Sequence, residues 1–291
     1  MRTWLALTTL CLLGALVHTV AHAQLGAMAM LDRHTALQER LRLNQFGKPL
    51  HIESTQTSSG LKGQVFAVVD HAYADVEQGL KTRQNWCDVL ILHLNVKQCA
   101  AGGAGAAEKL SVHVGKKFDQ PLSDAYRIDF DYELSSSTPK YLEVQLYAKE
   151  GPLGTRDYRI VLEAVPLDAK RTFIHMAYSY NYGMAARMAM QAYLSTIGSD
   201  KVGFSVLERK PDGQPVYVGS VRGVVERNTM RYYLAVEAYL GARSAPPAQQ
   251  LGKRLKDWFA ATERFARQLH EIEEAQYLEM KQKEVRRQQN L

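Results

Sequence analysis

The chain has 291 residues, with 36 Lys and Arg against 30 Asp and Glu and 46% hydrophobic residues, which fits one large domain plus extensions. A net charge of +6 permits contact with an anionic membrane surface without demanding it. No zinc-finger spacing, helix-turn-helix pattern or aromatic nucleic-acid motif occurs, which argues against nucleic acid as a partner.

Residues 1–23 read as a leader. Arg2 supplies a positive start, Leu5 to Val20 is apolar, and Ala21-His22-Ala23 has the small-x-small form of a signal-peptidase site, so cleavage after Ala23 would leave Gln24 first. A retained anchor is the competing reading, although the apolar run is short of the ~20 residues of a span. Cys11 follows Leu10 rather than a small residue, which speaks against a lipoprotein anchor. The expected location is therefore the periplasm. Cys87 and Cys99 remain after cleavage, and an isolated pair in an oxidising compartment is most simply a disulfide. Two buried thiols or a redox pair are the rivals, and no C-x-x-C supports the latter.

Residues 24–60 form a lead-in. The spacing of Met30, Leu37 and Leu41 predicts a helix over Met28 to Leu43, ended by Gly47-Lys48-Pro49, with a polar loop from Ser54 to Gly60. A domain over 61–245 begins with an apolar strand, Val65 to Val69, and a helix, Ala72 to Leu80, with Asp70 or His71 near its N-cap. Val89 to Leu94 reads as a buried helical turn or a strand. Ala100 to Ala107 reads as a Gly-rich loop, and Leu110, Val112 and Val114 as another strand.

Residues 126–182 alternate strictly with period two, which marks successive strands of a sheet with one buried face. Tyr126, Ile128, Phe130, Tyr132 and Leu134 share one face, and Arg127, Asp129, Asp131 and Glu133 the other. Leu142, Val144 and Leu146 oppose Glu143 and Gln145. Tyr158, Ile160 and Leu162 oppose Arg159 and Glu163. Ile174, Met176, Tyr178, Tyr180 and Tyr182 line the last strand. Short turns at Pro139, Gly151-Pro152 and Pro166 favour an antiparallel meander.

Met184 to Ile197 is expected as a helix capped by Gly198. Val202 to Leu207 and Val216 to Val225 are expected as strands. Asn228 would cap a helix from Thr229 to Leu240 whose stripe is Tyr233, Val236 and Leu240. After Pro246-Pro247, residues 246–291 form a charged amphipathic segment. Leu251, Leu255, Trp258, Thr262, Phe265, Leu269, Ile272 and Gln276 are spaced as a heptad seam. This tail could fold back on its own domain, form a homodimer or lie on a membrane.

The order of a strand (Val65–Val69), a helix (Ala72–Leu80), an Asn85-Trp86 corner, a meander and a later helix (Thr229–Leu240) resembles the START-like, helix-grip superfamily of lipid-transfer domains and polyketide cyclases. The resemblance covers about residues 61–241. It implies an α+β fold in which a curved antiparallel sheet wraps a C-terminal helix, with an apolar cavity between them and the amphipathic tail as an addition.

The residues that would line such a cavity are Tyr126, Phe130, Tyr132, Tyr158, Tyr178, Tyr180 and Tyr182, since each tyrosine offers an apolar face and one hydroxyl. Met176 and Met188 would add adaptable surface, Arg187 would meet an anionic head group, and Tyr233 would face inward from the gripped helix. The alternative for all of them is ordinary core or solvent-facing surface. Alternation places Asp129, Asp131, Glu133 and Glu143 outside, with His175 there too, either solvent-side or under an extension. His93 and His113 lack metal-ligand spacing, and His270-Glu271-Ile272-Glu273-Glu274 lacks the second His of a zinc-protease helix. No Gly-x-Ser-x-Gly elbow occurs, and Gly102-Gly103-Ala104-Gly105 lacks a phosphate-loop ending. Neither metal nor cofactor is expected. The reading is an exported carrier or sensor of a lipid-like small molecule. A cavity enzyme and an interaction protein acting through its tail are the alternatives.

Overall fold

A computed structural model describes residues 3–102, 109–196 and 200–289. Eight strands form one antiparallel sheet: β1 (Leu50–Gln56), β2 (Gly60–Val69), β3 (Val96–Gly102), β4 (Lys109–Val114), β5 (Tyr126–Thr138), β6 (Tyr141–Glu150), β7 (Thr155–Pro166) and β8 (Thr172–Tyr182). Their order is β1-β2-β8-β7-β6-β5-β4-β3. The expected meander runs from β5 to β8, and β2 closes on β8 with Val65 opposite Met176. Among the helices, α1 (Thr3–Arg42) precedes the sheet, while α2 (Tyr73–Leu80) and α3 (Arg83–Leu90) lie between β2 and β3. Then come α4 (Met184–Leu194), a small hairpin of β9 (Val206–Arg209) and β10 (Pro215–Tyr217), and the long α5 (Ser220–Ala242). The chain ends in α6 (Pro247–Glu263), α7 (Ala266–Leu269) and α8 (Glu274–Gln289). Among the described residues, no helix is long and apolar enough to cross a membrane.

The inner face of the sheet packs on α5. Ile128, Phe130, Val144, Leu146, Ile160, Leu162 and Met176 are buried there with Val225 and Val236. Gly63 permits the close approach of α5, since a β-carbon at that position would stand 2.2 Å from Thr229 Oγ1. Asp129, Asp131 and Glu133 are exposed, as alternation requires. Leu134, expected inside, pairs with Val144 on that face yet is 39% exposed, and the register shift that follows puts Ser136 opposite Glu143 on the outer face, where it is buried.

The outer face is not solvated throughout. Helix α1 lies across it and buries Met30, Leu37 and Leu41 against Phe66, Tyr141, Val165 and Phe173. At Gly26 a β-carbon would meet the Tyr141 ring at 2.5 Å, so glycine sets the distance of this helix. The expectation that Glu143 is solvated is therefore wrong. It is buried and accepts from Tyr141 Oη at 3.0 Å. His175 lies under the same helix, bonded to Glu163 at 2.7 Å and stacked on Phe66 with ring centroids 4.4 Å apart.

Other boundaries also differ from expectation. The polar loop proposed from Ser54 begins inside β1, an edge strand where polar residues reach solvent on one side. The strand proposed over Val216 to Val225 stops at Tyr217, and Ser220 already opens α5, so Asn228 sits mid-helix rather than at a cap. Val89 to Leu94 resolves as the end of α3 and the buried turns after it. The Gly-rich loop proposed over Ala100 to Ala107 begins inside β3, which runs to Gly102, and residues 103–107 lie outside the described residues, as do Ile197 and Gly198.

Cys87 on α3 and Cys99 on β3 are joined in a disulfide, with 12 residues of separation. Closing a loop of this size restricts the unfolded chain and is worth ~2–3 kcal/mol. It also fixes the two ends of the segment that carries Leu90, His93 and Asn95.

Candidate functional site

A cavity of about 380 Å³ lies between the inner face of the sheet and α5. This is within the range of ~300–1,000 Å³ usual for small-molecule sites. Its apolar walls come from β4 (Val112, Val114), β5 (Ile128, Phe130) and β7 (Ile160), with Leu90 of α3. Tyr178 of β8 and Tyr232 of α5 face each other across one end, with ring centroids 5.4 Å apart. Tyr126 and Leu153 line the cavity while remaining 53% and 58% exposed, which marks where it meets solvent.

Of the candidate residues, the structure brings Tyr126, Phe130, Tyr158 and Tyr178 to this cavity. The others lie elsewhere. Tyr132 is buried beyond it and donates to Lys81 O at 2.7 Å. Met176 is solid core between Val65 and Leu162. Tyr180 stacks on Tyr158 at 5.2 Å, and Tyr182 is buried at the sheet end. Met188 is 63% exposed on the outside of α4. Arg187 is exposed, donates to Ser58 O and lies over the Tyr182 ring, so it holds a loop rather than a head group. Tyr233 is buried on another side of α5, with Lys48 over its ring at 5.0 Å. Its neighbour Tyr232 is the one that lines the cavity: α5 is buried on nearly every side, so the stripe of Tyr233, Val236 and Leu240 does not single out the face that meets the cavity.

His93, set aside in the sequence for want of metal-ligand spacing, is a lining residue and only 2% exposed. Its ring stacks on Tyr232 with centroids 4.5 Å apart. Nδ1 accepts from the Asn95 backbone N–H at 3.1 Å, and Nε2 has no hydrogen-bond partner. Burial, with Arg231 and three lysines nearby, holds its pKa well below the ordinary value. The ring is therefore neutral, and the Asn95 bond assigns the proton to Nε2. No sequence signal marked this position, because the feature depends on a turn that folds back beside α5. Among the described residues, no three His, Cys, Asp or Glu side chains gather where they could hold a metal ion.

The wall that carries His93 is held from behind by α8. Tyr277 Oη donates to Leu92 O at 2.9 Å, and Lys281 Nζ donates to His93 O and Val96 O, both at 2.7 Å. Gln288 Oε1 accepts from Cys99 N–H at 2.9 Å, and Arg287 donates to Lys97 O at 2.8 Å. Glu284 lies 2.8 Å from Lys281 and 3.1 Å from Lys97, with all three side chains buried. The heptad seam is thus consumed within the chain: Leu255, Trp258, Thr262 and Leu269 are buried against the domain.

Burial lowers the pKa of Lys281 to about 8 against the pull of Glu284, and lowers that of Lys117 to about 8 as well. Unfolded lysines titrate near ~10.4, so between roughly pH 8 and 10 the unfolded chain holds more protons and stability rises with pH. The buried tyrosines act in the opposite sense only once unfolded tyrosines ionise near ~10. The urea midpoint should therefore be higher at pH 9 than at pH 7.5, with a smaller rise in Lys281→Met. A midpoint that falls over this interval would show that these ammonium groups are not disfavoured by the fold.

No family model matches the sequence, and no curated protein matches it. Solved structures do. Truncated norcoclaurine synthase from Thalictrum flavum is 14% identical, with 50% of this chain and 86% of that one covered at a TM-score of 0.33. A START superfamily protein from Mycobacterium smegmatis is 8% identical, covering 48% and 90% at 0.33. The Zhui aromatase/cyclase from Streptomyces sp. R1128 is 10% identical, covering 76% and 100% at 0.32.

Proposed function

We propose that this chain is an exported binding protein that holds a hydrophobic, lipid-like small molecule between sheet and helix, as a carrier or sensor in the periplasm. The observation that carries the reading is the cavity itself. It has apolar walls from β4, β5 and β7, polar lining that includes His93, Asn95 and Asp124, and exposed lining at Tyr126 and Leu153. Export rests on the leader pattern of residues 1–23 and accords with the disulfide.

An enzyme working in the same cavity would need an inward acid or base, and His93 is the imidazole at hand. Its lowered pKa makes it a weak base, and its proton already sits on the nitrogen without a partner. That geometry suits donation to a bound ligand better than proton abstraction.

The test is uptake of the neutral fluorophore N-phenyl-1-naphthylamine by the wild type and by Val112→Phe/Ile128→Phe. Both substitutions add a ring to the cavity wall. The variant should keep its far-ultraviolet circular dichroism and lose at least tenfold in affinity. Equal affinity in the two proteins would place the probe elsewhere and overturn the reading.

A further inference from the structure

The His93 end of the cavity carries more than an unmatched hydrogen-bond donor. The charged groups that act on this ring are Lys97 on β3, Lys117 after β4, Arg231 on α5 and Lys281 on α8. All four are cations. Their carboxylate partners are Glu271, at 2.6 Å from Lys117 and 2.8 Å from Arg231, and Glu284, at 2.8 Å from Lys281 and 3.1 Å from Lys97. Lys201 also reaches Glu271, at 3.9 Å. Asp119 also acts on Lys97, and Asp124 lines the cavity, but every charged side chain that acts on the His93 ring itself is a cation. An excess of buried positive charge in a poorly solvated region is a strong local field. It favours negative charge on anything brought beside it.

Two independent features therefore coincide at one end of an apolar cavity. One is an N–H donor with no acceptor, in a ring that is 2% exposed. A buried donor without a partner costs ~1–3 kcal/mol, and an oxygen supplied by a ligand removes that cost. The other is the positive field of the surrounding lysines and Arg231. From these we infer that the ligand is an amphiphile with an oxyanionic head, most simply a carboxylate, whose oxygen accepts from His93 Nε2–H while its apolar body fills the cavity between sheet and α5. This rests on the binding reading above and narrows its ligand class. His93 is then the residue that sets specificity between an acid and a neutral chain of the same length.

The experiment is displacement of N-phenyl-1-naphthylamine at pH 7 by dodecanoic acid and by 1-dodecanol, in the wild type, in His93→Phe and in His93→Gln. A hydrogen bond to a charged group should give the acid an advantage of about tenfold or more in the wild type. His93→Phe keeps an aromatic ring against Tyr232, so it should bind the alcohol as the wild type does and lose the preference for the acid. His93→Gln retains a donor and should recover most of it. Equal affinity for acid and alcohol in the wild type overturns the inference and leaves the binding reading standing. Failure of the fluorophore and of both ligands to bind overturns the binding reading itself. Should His93→Phe not fold, the wild-type comparison decides the matter, with His93→Gln as its control.

Discussion

Glu284→Gln should destabilise the protein by ~3–5 kcal/mol, because it removes the counter-charge of two buried lysines at once. Lys97 and Lys281 have fully buried side chains and both approach this carboxylate. A neutral amide can still accept one hydrogen bond, but it cannot offset two ammonium charges held away from water. Domains of this kind are stable by only ~5–15 kcal/mol, so the variant should melt far below the wild type or lose its C-terminal helix on purification. Replacing all three groups, as Lys97→Met/Lys281→Met/Glu284→Gln, should recover part of the loss, since no uncompensated charge is left. Thermal melts of the wild type, the single variant and the triple variant decide it. A single variant within about 1 kcal/mol of the wild type would mean that the cluster is hydrated and that α8 is not a structural strap.

Trp258→Ala should cost a further ~3–5 kcal/mol of the same kind of stability, by opening a cavity between α5, α6 and α8. The indole is 1% exposed, stacks on Tyr277 at 4.9 Å and donates from Nε1 to Arg231 O at 3.1 Å. Tyr277 in turn bonds Leu92, one residue before His93. The substitution should thus weaken ligand retention as well as the fold, although Trp258 does not line the cavity. Urea unfolding together with fluorophore affinity reads both effects. Wild-type stability would show that the tail packs loosely, and a stability loss with unchanged affinity would separate the tail from the cavity wall.

These two residues also show what could be read in the sequence. The strand faces were legible from alternation alone, because period two is a local property. Ile128, Phe130, Tyr158 and Tyr178 all point where the pattern put them. Trp258 and Leu255 were legible as a seam, and its use within the chain was among the outcomes the sequence left open. What the sequence could not show was the break of that seam. Phe265 seats its ring 5.8 Å from Phe46 and 5.6 Å from Phe204, and the backbone leaves helical geometry there to do so. Partners more than fifty residues away set that bend.

Glu143 and His93 failed for the same reason. Alternation assigns a face but not what covers it, and α1 covers the outer face. His93 was judged on sequence spacing to other ligands, whereas its environment is assembled from β3, α5 and α8. Arg187 and Met188 were assigned to the cavity because their helix is apolar overall, yet α4 turns both residues outward.

The central claim is that the cavity holds a molecule. Native mass spectrometry of the protein, purified gently without organic solvent and measured before and after solvent extraction, tests it most directly. The account predicts a stoichiometric excess mass that extraction removes, belonging to an acidic amphiphile, and absent from Val112→Phe/Ile128→Phe. A clean apo mass in repeated preparations of the wild type would contradict it.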